Sequence, residues 1–133
     1  MVRTKIVILG GGFAGIEAAR CLDRTVARRA DVEVVLVSRE NFSLFTPMLH
    51  EVVASDLEPA DICSPLRKLF RRVTILNGEV KAIDLAARRL TIGYGVRGLS
   101  RVLRFDQFVL ALGSETNYFI LPAGNARRRS ERQ

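Results

Sequence analysis

The run Lys5-Ile6-Val7-Ile8-Leu9, rich in β-branched residues and stopped by Gly10, predicts a strand buried on both faces, as in a parallel sheet with both sides covered. From Phe13 the period changes. Ile16, Ala19, Leu22 and Val26 recur at spacings of three and four while Glu17, Arg20, Asp23 and Arg24 fall elsewhere, which predicts an amphipathic helix. Arg28-Arg29 would close it at the negative end of its dipole. A second β-branched run, Val32–Val37, follows Ala30-Asp31 and completes a strand–helix–strand unit.

Residues 38–58 hold no single period and predict a functional loop or short helix. Ser64-Pro65 predicts the start of a short helix, Ser64 as cap and Pro65 as first residue, with Leu66, Leu69 and Phe70 on one side. Val73–Leu76 reads as a third strand and Asn77-Gly78 as a turn. Glu79–Leu85, Leu90–Ile92 and Val102–Phe105 read as a β-meander joined through Ala86-Ala87 and the glycines at 93, 95 and 98. Phe108–Leu112, ending at Gly113, is expected to be a last buried strand. The fold class is therefore α/β, a parallel sheet with an antiparallel meander, over residues 1–121; residues 122–133 are expected to form a basic, disordered tail.

Composition narrows the function classes. With 48% apolar and 26% charged residues in 133, the chain suits one modest domain and not a disordered or fibrous one. No apolar run is long enough to span a bilayer, and Ile6–Leu9 is too short for a secretory leader, so the expected location is cytoplasmic. The net charge of +7 would suggest nucleic acid, but residues 122–133 supply +3 of it, leaving +4 for the rest. No specific nucleic-acid partner is expected. Cys21 and Cys63 form no CxxC and have no nearby His, so buried free thiols are expected, with no metal site.

The chemistry lies in Gly10, Gly12 and Gly15, a G-x-G-x-x-G placed between a buried strand and an amphipathic helix. Gly10 permits the tight turn, Gly12 lets a pyrophosphate approach the backbone, Gly15 allows close helix–strand packing, and the free N–H groups of the first helical turn attract the anion. Such sites place a carboxylate at the end of the second strand for the adenosine ribose. Here that end reads Ser38-Arg39-Glu40, so Ser38 holds the position and Glu40 stands two residues later.

Four segments, KIVILGGGFAGIEAA, VVLVSRENFSLFTPMLHEV, RKLFRRVTILNGEVKAIDLAARRLTI and FDQFVLALGSETNYF, together resemble the flavin-dependent pyridine nucleotide oxidoreductases, and within them the type II, non-proton-pumping NADH:quinone dehydrogenases. The resemblance runs from residue 5 to about residue 121. It implies a Rossmann-like FAD-binding unit, incomplete as a domain, with FAD as cofactor and NADH and quinone as partners of the full-length enzymes. Gly10, Gly12, Phe13, Ala14 and Gly15 would hold the pyrophosphate. Ser38, Arg39 and Glu40 would sit by the adenosine, Val80 would offer its backbone to the adenine, and Ala111, Leu112 and Gly113 would line the cofactor from the other side. Leu112 stands where the family's second flavin motif has Thr. Thr46 and Pro47 would approach the flavin ring; Phe42, Leu44 and Phe45 are expected to be ordinary core. No side chain is expected to be catalytic, and His50 is expected at the surface.

Disulfide-exchanging members of this superfamily carry a redox Cys pair soon after the second strand, whereas residues 40–58 contain no Cys, which excludes thiol exchange. Full-length enzymes of the resemblance add a second dinucleotide domain and a membrane-surface region, so this chain is expected to be a truncated FAD-binding portion with little turnover of its own. Two alternatives stay open: a stand-alone dinucleotide-binding module without redox turnover, and a binder of anionic surfaces through its basic tail.

Overall fold

The first apolar run forms β1 (Thr4–Leu9), and Val7, Ile8 and Leu9 are wholly shielded from solvent. The structure is a computed structural model that describes residues 3–95 and 98–114; the expected tail and the NYF segment lie outside them. After β1 come α1 (Phe13–Arg24) and β2 (Val32–Ser38), then the short β3 (Phe42–Leu44) and α2 (Leu49–Val53). Next are β4 (Cys63–Pro65), α3 (Leu66–Leu69) and β5 (Val73–Asn77). A meander of β6 (Glu79–Asp84), β7 (Arg89–Tyr94) and β8 (Leu99–Arg104) leads to β9 (Gln107–Leu110).

The parallel sheet has the order β5-β2-β1-β9. Numbered among themselves, these strands run third, second, first, fourth, the doubly wound order in which the direction of winding reverses beside β1. Strand periodicity of two divides the core. Val7, Leu9, Val35 and Val37 face the meander, where Leu90, Ile92, Leu103 and Phe105 are buried against them. Ile8, Val34 and Leu36 face the other way, onto Ile16 and Ala19 of α1 and onto Leu66, Phe70 and Val73. The sheet is thus covered on both faces, one by helix and one by a second sheet, and β1 and β2 read as continuous apolar runs for that reason.

Several local expectations are corrected. The α1 helix stops at Arg24, a 3-10 turn spans Val26–Arg28, and Arg29 forms an ion pair with Asp31 at 2.8 Å instead of closing the helix. Ser64 does not cap a helix. Ser64 and Pro65 pair with Ser43 and Phe42 across β3 and β4, and Leu66 N–H donates to the Asn41 carbonyl, so α3 begins one residue later. Asn77-Gly78 is no hairpin turn: Asn77 ends β5, and Gly78 N–H donates to the Ser38 carbonyl at 2.8 Å. β9 is not fully buried, because among the described residues β1 alone pairs with it; Phe108 and Val109 are half-buried and Leu110 is 61% exposed. Cys21 sits on the solvent side of α1 and Cys63 is half-buried, so neither thiol is buried.

Two carboxylates hold distant segments together. Asp106 accepts from Lys5 N–H at 2.7 Å while its own N–H donates to the Lys5 carbonyl at 2.9 Å, which docks the start of β9 on β1. Asp23, on the inward side of α1 and 9% exposed, accepts from the N–H groups of Arg71 at 3.2 Å and Arg72 at 2.6 Å. It fixes the far end of α1 to the entry of β5. Asp23→Ala leaves two backbone donors without their acceptor and is expected to lower unfolding stability by about 1–3 kcal/mol. Urea denaturation of the variant beside the parent protein, read as a fall in midpoint at unchanged slope, measures that loss.

Candidate functional site

Where β1 ends, the ladder continues into a loop: Gly10 N–H donates to the Val37 carbonyl and Ala111 N–H to the Leu9 carbonyl, both at 2.8 Å. This is the switch point of the sheet, the place where open α/β folds carry their crevice. Gly10 has φ +108°, and a β-carbon there would run into the Ala111 carbonyl. Gly15, in the first turn of α1, lies so close beneath the loop that a β-carbon would overlap the Gly10 carbonyl oxygen. These two glycines are required by the protein itself.

Gly12 differs from both. Its φ of −80° suits any residue, and a β-carbon there meets nothing within 4 Å. Among the described residues no contact accounts for a glycine at this position, which opens onto the cleft. Gly12 caps α1 with no side-chain hydrogen bond, and no acidic residue occupies the first turn, so the positive end of the helix is left for an external anion.

The cleft has a volume of about 940 Å³, within the range of nucleotide-sized ligand pockets. Its floor is Gly10, Gly11, Gly12 and Phe13. One wall is Val37–Glu40 with Phe42, Ser43, Leu44 and Thr46, another is Gly78–Ile83, and the far end is Ala111–Ser114. Of the residues singled out in the sequence, Gly10, Gly12, Phe13, Ser38, Arg39, Glu40, Thr46, Val80, Ala111, Leu112 and Gly113 line this one cleft. Ala14 and Gly15 do not: Ala14 points to solvent on the outer face of the turn, and Gly15 is buried under the loop, where its role is packing. Phe42 and Leu44, expected in the core, are half-buried cleft wall. Phe45 is 47% exposed and meets Phe13 edge to face with ring centroids 6.0 Å apart, tying the Thr46–Met48 turn to the start of α1. His50 is exposed.

Several cleft residues carried no clear signal. Gly11 fits because a β-carbon there would strike the Ser38 hydroxyl, a contact visible only once β2 lies beside the loop. Gly78 is buried, and its absent β-carbon leaves room for Ile92 and the Gly93 carbonyl of β7. Asn77 stabilises the corner at the end of β2 by donating its side-chain N–H to the Arg39 carbonyl at 2.7 Å. Charge is mixed at this corner. Glu79 is held well within reach of the Lys81 ammonium, whose hydrogen bond and charge keep its carboxyl below the usual carboxylate range, with a smaller contribution from Arg39.

The family described as pyridine nucleotide-disulphide oxidoreductase matches residues 4–132. A type II NADH:quinone oxidoreductase of Mycobacterium tuberculosis, NdhA, is 37% identical over 120 residues, covering 88% of this chain and 24% of that protein. The demethylphylloquinone reductase NdbB of Synechocystis is 33% identical over 123 residues, covering 90% of this chain and 30% of that one. The solved NDH2 of Plasmodium falciparum superposes with a TM-score of 0.80 over 92% of this chain and 25% of its own, at 22% identity, a likeness of fold. The chain spans about a quarter of the length of the curated relatives it matches.

The glycine geometry separates packing from binding. Gly10→Ala and Gly15→Ala are each expected to destabilise by about 2 kcal/mol or more, because backbone atoms cannot yield to the added carbon. Gly12→Ala should stay within about 1 kcal/mol of the parent. Thermal unfolding of the three variants decides it. A second outcome concerns titration: Lys81→Met should move the Glu79 carboxyl back up toward its ordinary value, read by NMR. Since the folded carboxyl titrates below its unfolded value, what it adds to stability is present above the unfolded pKa and lost as pH falls through the folded one.

Proposed function

The chain belongs to the pyridine nucleotide-disulphide oxidoreductase family, and from that premise we propose that its cleft binds FAD and serves as the flavin-holding portion of an NADH:quinone oxidoreductase. The observation that carries this is Gly12: a glycine needed for no fold or packing reason, at the uncapped start of α1, facing a cleft of dinucleotide size. Hydride acceptance from NADH and delivery of electrons to quinone are what the flavin supplies when bound.

The chain's own residues bind and orient. Backbone N–H groups at the start of α1, reached through Gly10–Gly12, would hold the pyrophosphate, where the helix dipole favours negative charge. Ser38 and Arg39 at the end of β2 would flank the adenosine ribose, and the backbone of Val80 would face the adenine. Ala111, Leu112 and Gly113 would close the opposite side, and Thr46 would bring the β3–α2 segment toward the flavin ring. The apolar walls given by Phe42, Leu44 and Ile83 would exclude water from the ring system. Every group here positions or shields, and none supplies a nucleophile.

Among the described residues no helix is long and apolar enough to cross a membrane. The NADH:quinone turnover that names the relative belongs to a chain about four times as long as the segment matched here. For this chain the expected activity is cofactor retention.

The test is a visible spectrum of the purified 133-residue protein after incubation with FAD and desalting. Stoichiometric retention of the flavin bands is expected, and Gly12→Val should abolish it while the far-UV circular dichroism stays folded. Unchanged FAD affinity in that variant would remove the cleft from consideration. Equal affinity for ADP and FAD would favour the plainer alternative, a module that holds adenine nucleotides without redox turnover.

A further inference from the structure

Along the wall from Phe42 to Thr46, the residues Phe42, Ser43, Leu44 and Thr46 line the cleft and Phe45 does not. Its ring turns instead toward Phe13, the first residue of α1, and the two meet edge to face with centroids 6.0 Å apart and an interplanar angle of 89°. That geometry sets the positive edge of one ring against the negative face of the other. Phe13 itself lies in the floor of the cleft, so the pair joins wall to floor.

The backbone of this wall is anchored elsewhere. β3 pairs with β4, Phe45 N–H donates to the Ile62 carbonyl at 2.8 Å, and Met48 N–H donates to the Phe45 carbonyl at 3.2 Å. Among the described residues none of the wall's backbone hydrogen bonds reaches the glycine loop or α1. It meets the helix through an aromatic contact, which breaks no hydrogen bond when it parts. Both rings are about half-exposed, 54% for Phe13 and 47% for Phe45, so the contact is shallow. Segments held in this way, firmly along one side and weakly along the other, open locally at small cost.

We propose that Phe13 and Phe45 form a clasp that retains the flavin half of the bound cofactor, with Phe45 a positioning residue that acts through the wall it closes. The inference rests on the reading of the cleft as an FAD site and deepens it by assigning the control of release. While the rings touch, Leu44 and Thr46 stay over the cleft; when they part, the wall lifts and the flavin leaves. Removing one ring raises the open population by the factor the contact contributes, and release quickens by the same factor. The ADP half lies against the glycine loop and the end of β2, which the clasp does not hold, so its binding is independent of the pair.

Release of FAD from the loaded 133-residue chain on dilution, followed by flavin fluorescence, tests this. Phe45→Ala and Phe13→Ala are each expected to speed release about fivefold, the factor an edge-to-face pair supplies. The double variant should release no faster than either single one, because both remove the same contact. Phe45→Tyr keeps the ring and should restore the parental rate. Calorimetric titration with ADP separates the clasp from a general loosening of the fold, since ADP affinity should be the same in Phe45→Ala as in the parent. A parental release rate in Phe45→Ala overturns the proposal, as do effects that multiply in the double variant or a loss of ADP affinity equal to that of FAD. Each of these results leaves the FAD site standing. A parent chain that retains no FAD removes the cofactor reading and this inference together.

Discussion

The architecture depends on a close approach of three backbones. The loop after β1, the first turn of α1 and the residues beyond β9 meet with no side chain between them, because Gly10 and Gly15 present none. Were either filled, α1 would tilt or lift away from the sheet and its uncapped N-terminus would lose its aim into the cleft. The packing of α1 through Ile16 and Ala19 is ordinary helix-on-sheet burial and fixes the helix axis. The glycines set its end point at the floor of the cleft. Packing and the proposed site therefore share one short segment, with Gly10 and Gly15 required by the packing and Gly12 open to the cleft.

The meander contributes a different constraint. In doubly wound folds both faces of the parallel sheet are usually covered by helices; here Leu90, Ile92 and Leu103 of an antiparallel sheet take one face. A sheet laid on a sheet brings β6 alongside the end of β2, and the register shift between Val80 and Ala82 lets the wall change direction there. The cleft owes its third wall to this arrangement. Without β6 that side of the cleft would lie open.

Much of this was legible in the sequence because it is local. The change of period at Phe13, the glycine spacing and the β-branched runs report on neighbours a few residues away, and they place the βαβ unit and its loop correctly. Contacts between distant segments leave weaker traces. Asn77-Gly78 has the composition of a turn, yet Gly78 is demanded by Ile92 and Gly93 across the meander. Ser64-Pro65 has the composition of a helix start, yet pairing with Phe42 and Ser43 draws it into a strand. Phe108–Leu112 has the composition of an interior strand, yet among the described residues β9 pairs with β1 alone, since apolarity records burial without naming the partner. Phe42 and Leu44 depart from the core expectation for a related reason: an apolar cleft wall and a core position look the same in one sequence.

The bond between Lys5 and Asp106 joins residues 101 positions apart, and β9 pairs with β1, the first strand of the sheet to be made. Closing so long a loop is entropically unfavourable and slow compared with forming the βαβ unit. During synthesis the glycine loop therefore exists well before Ala111 and Gly113 arrive to wall it in. A nucleotide that bound only the closed form would draw the chain toward completion by mass action, acting as a folding template as well as a cofactor. The cleft therefore takes shape later than the glycine loop at its floor.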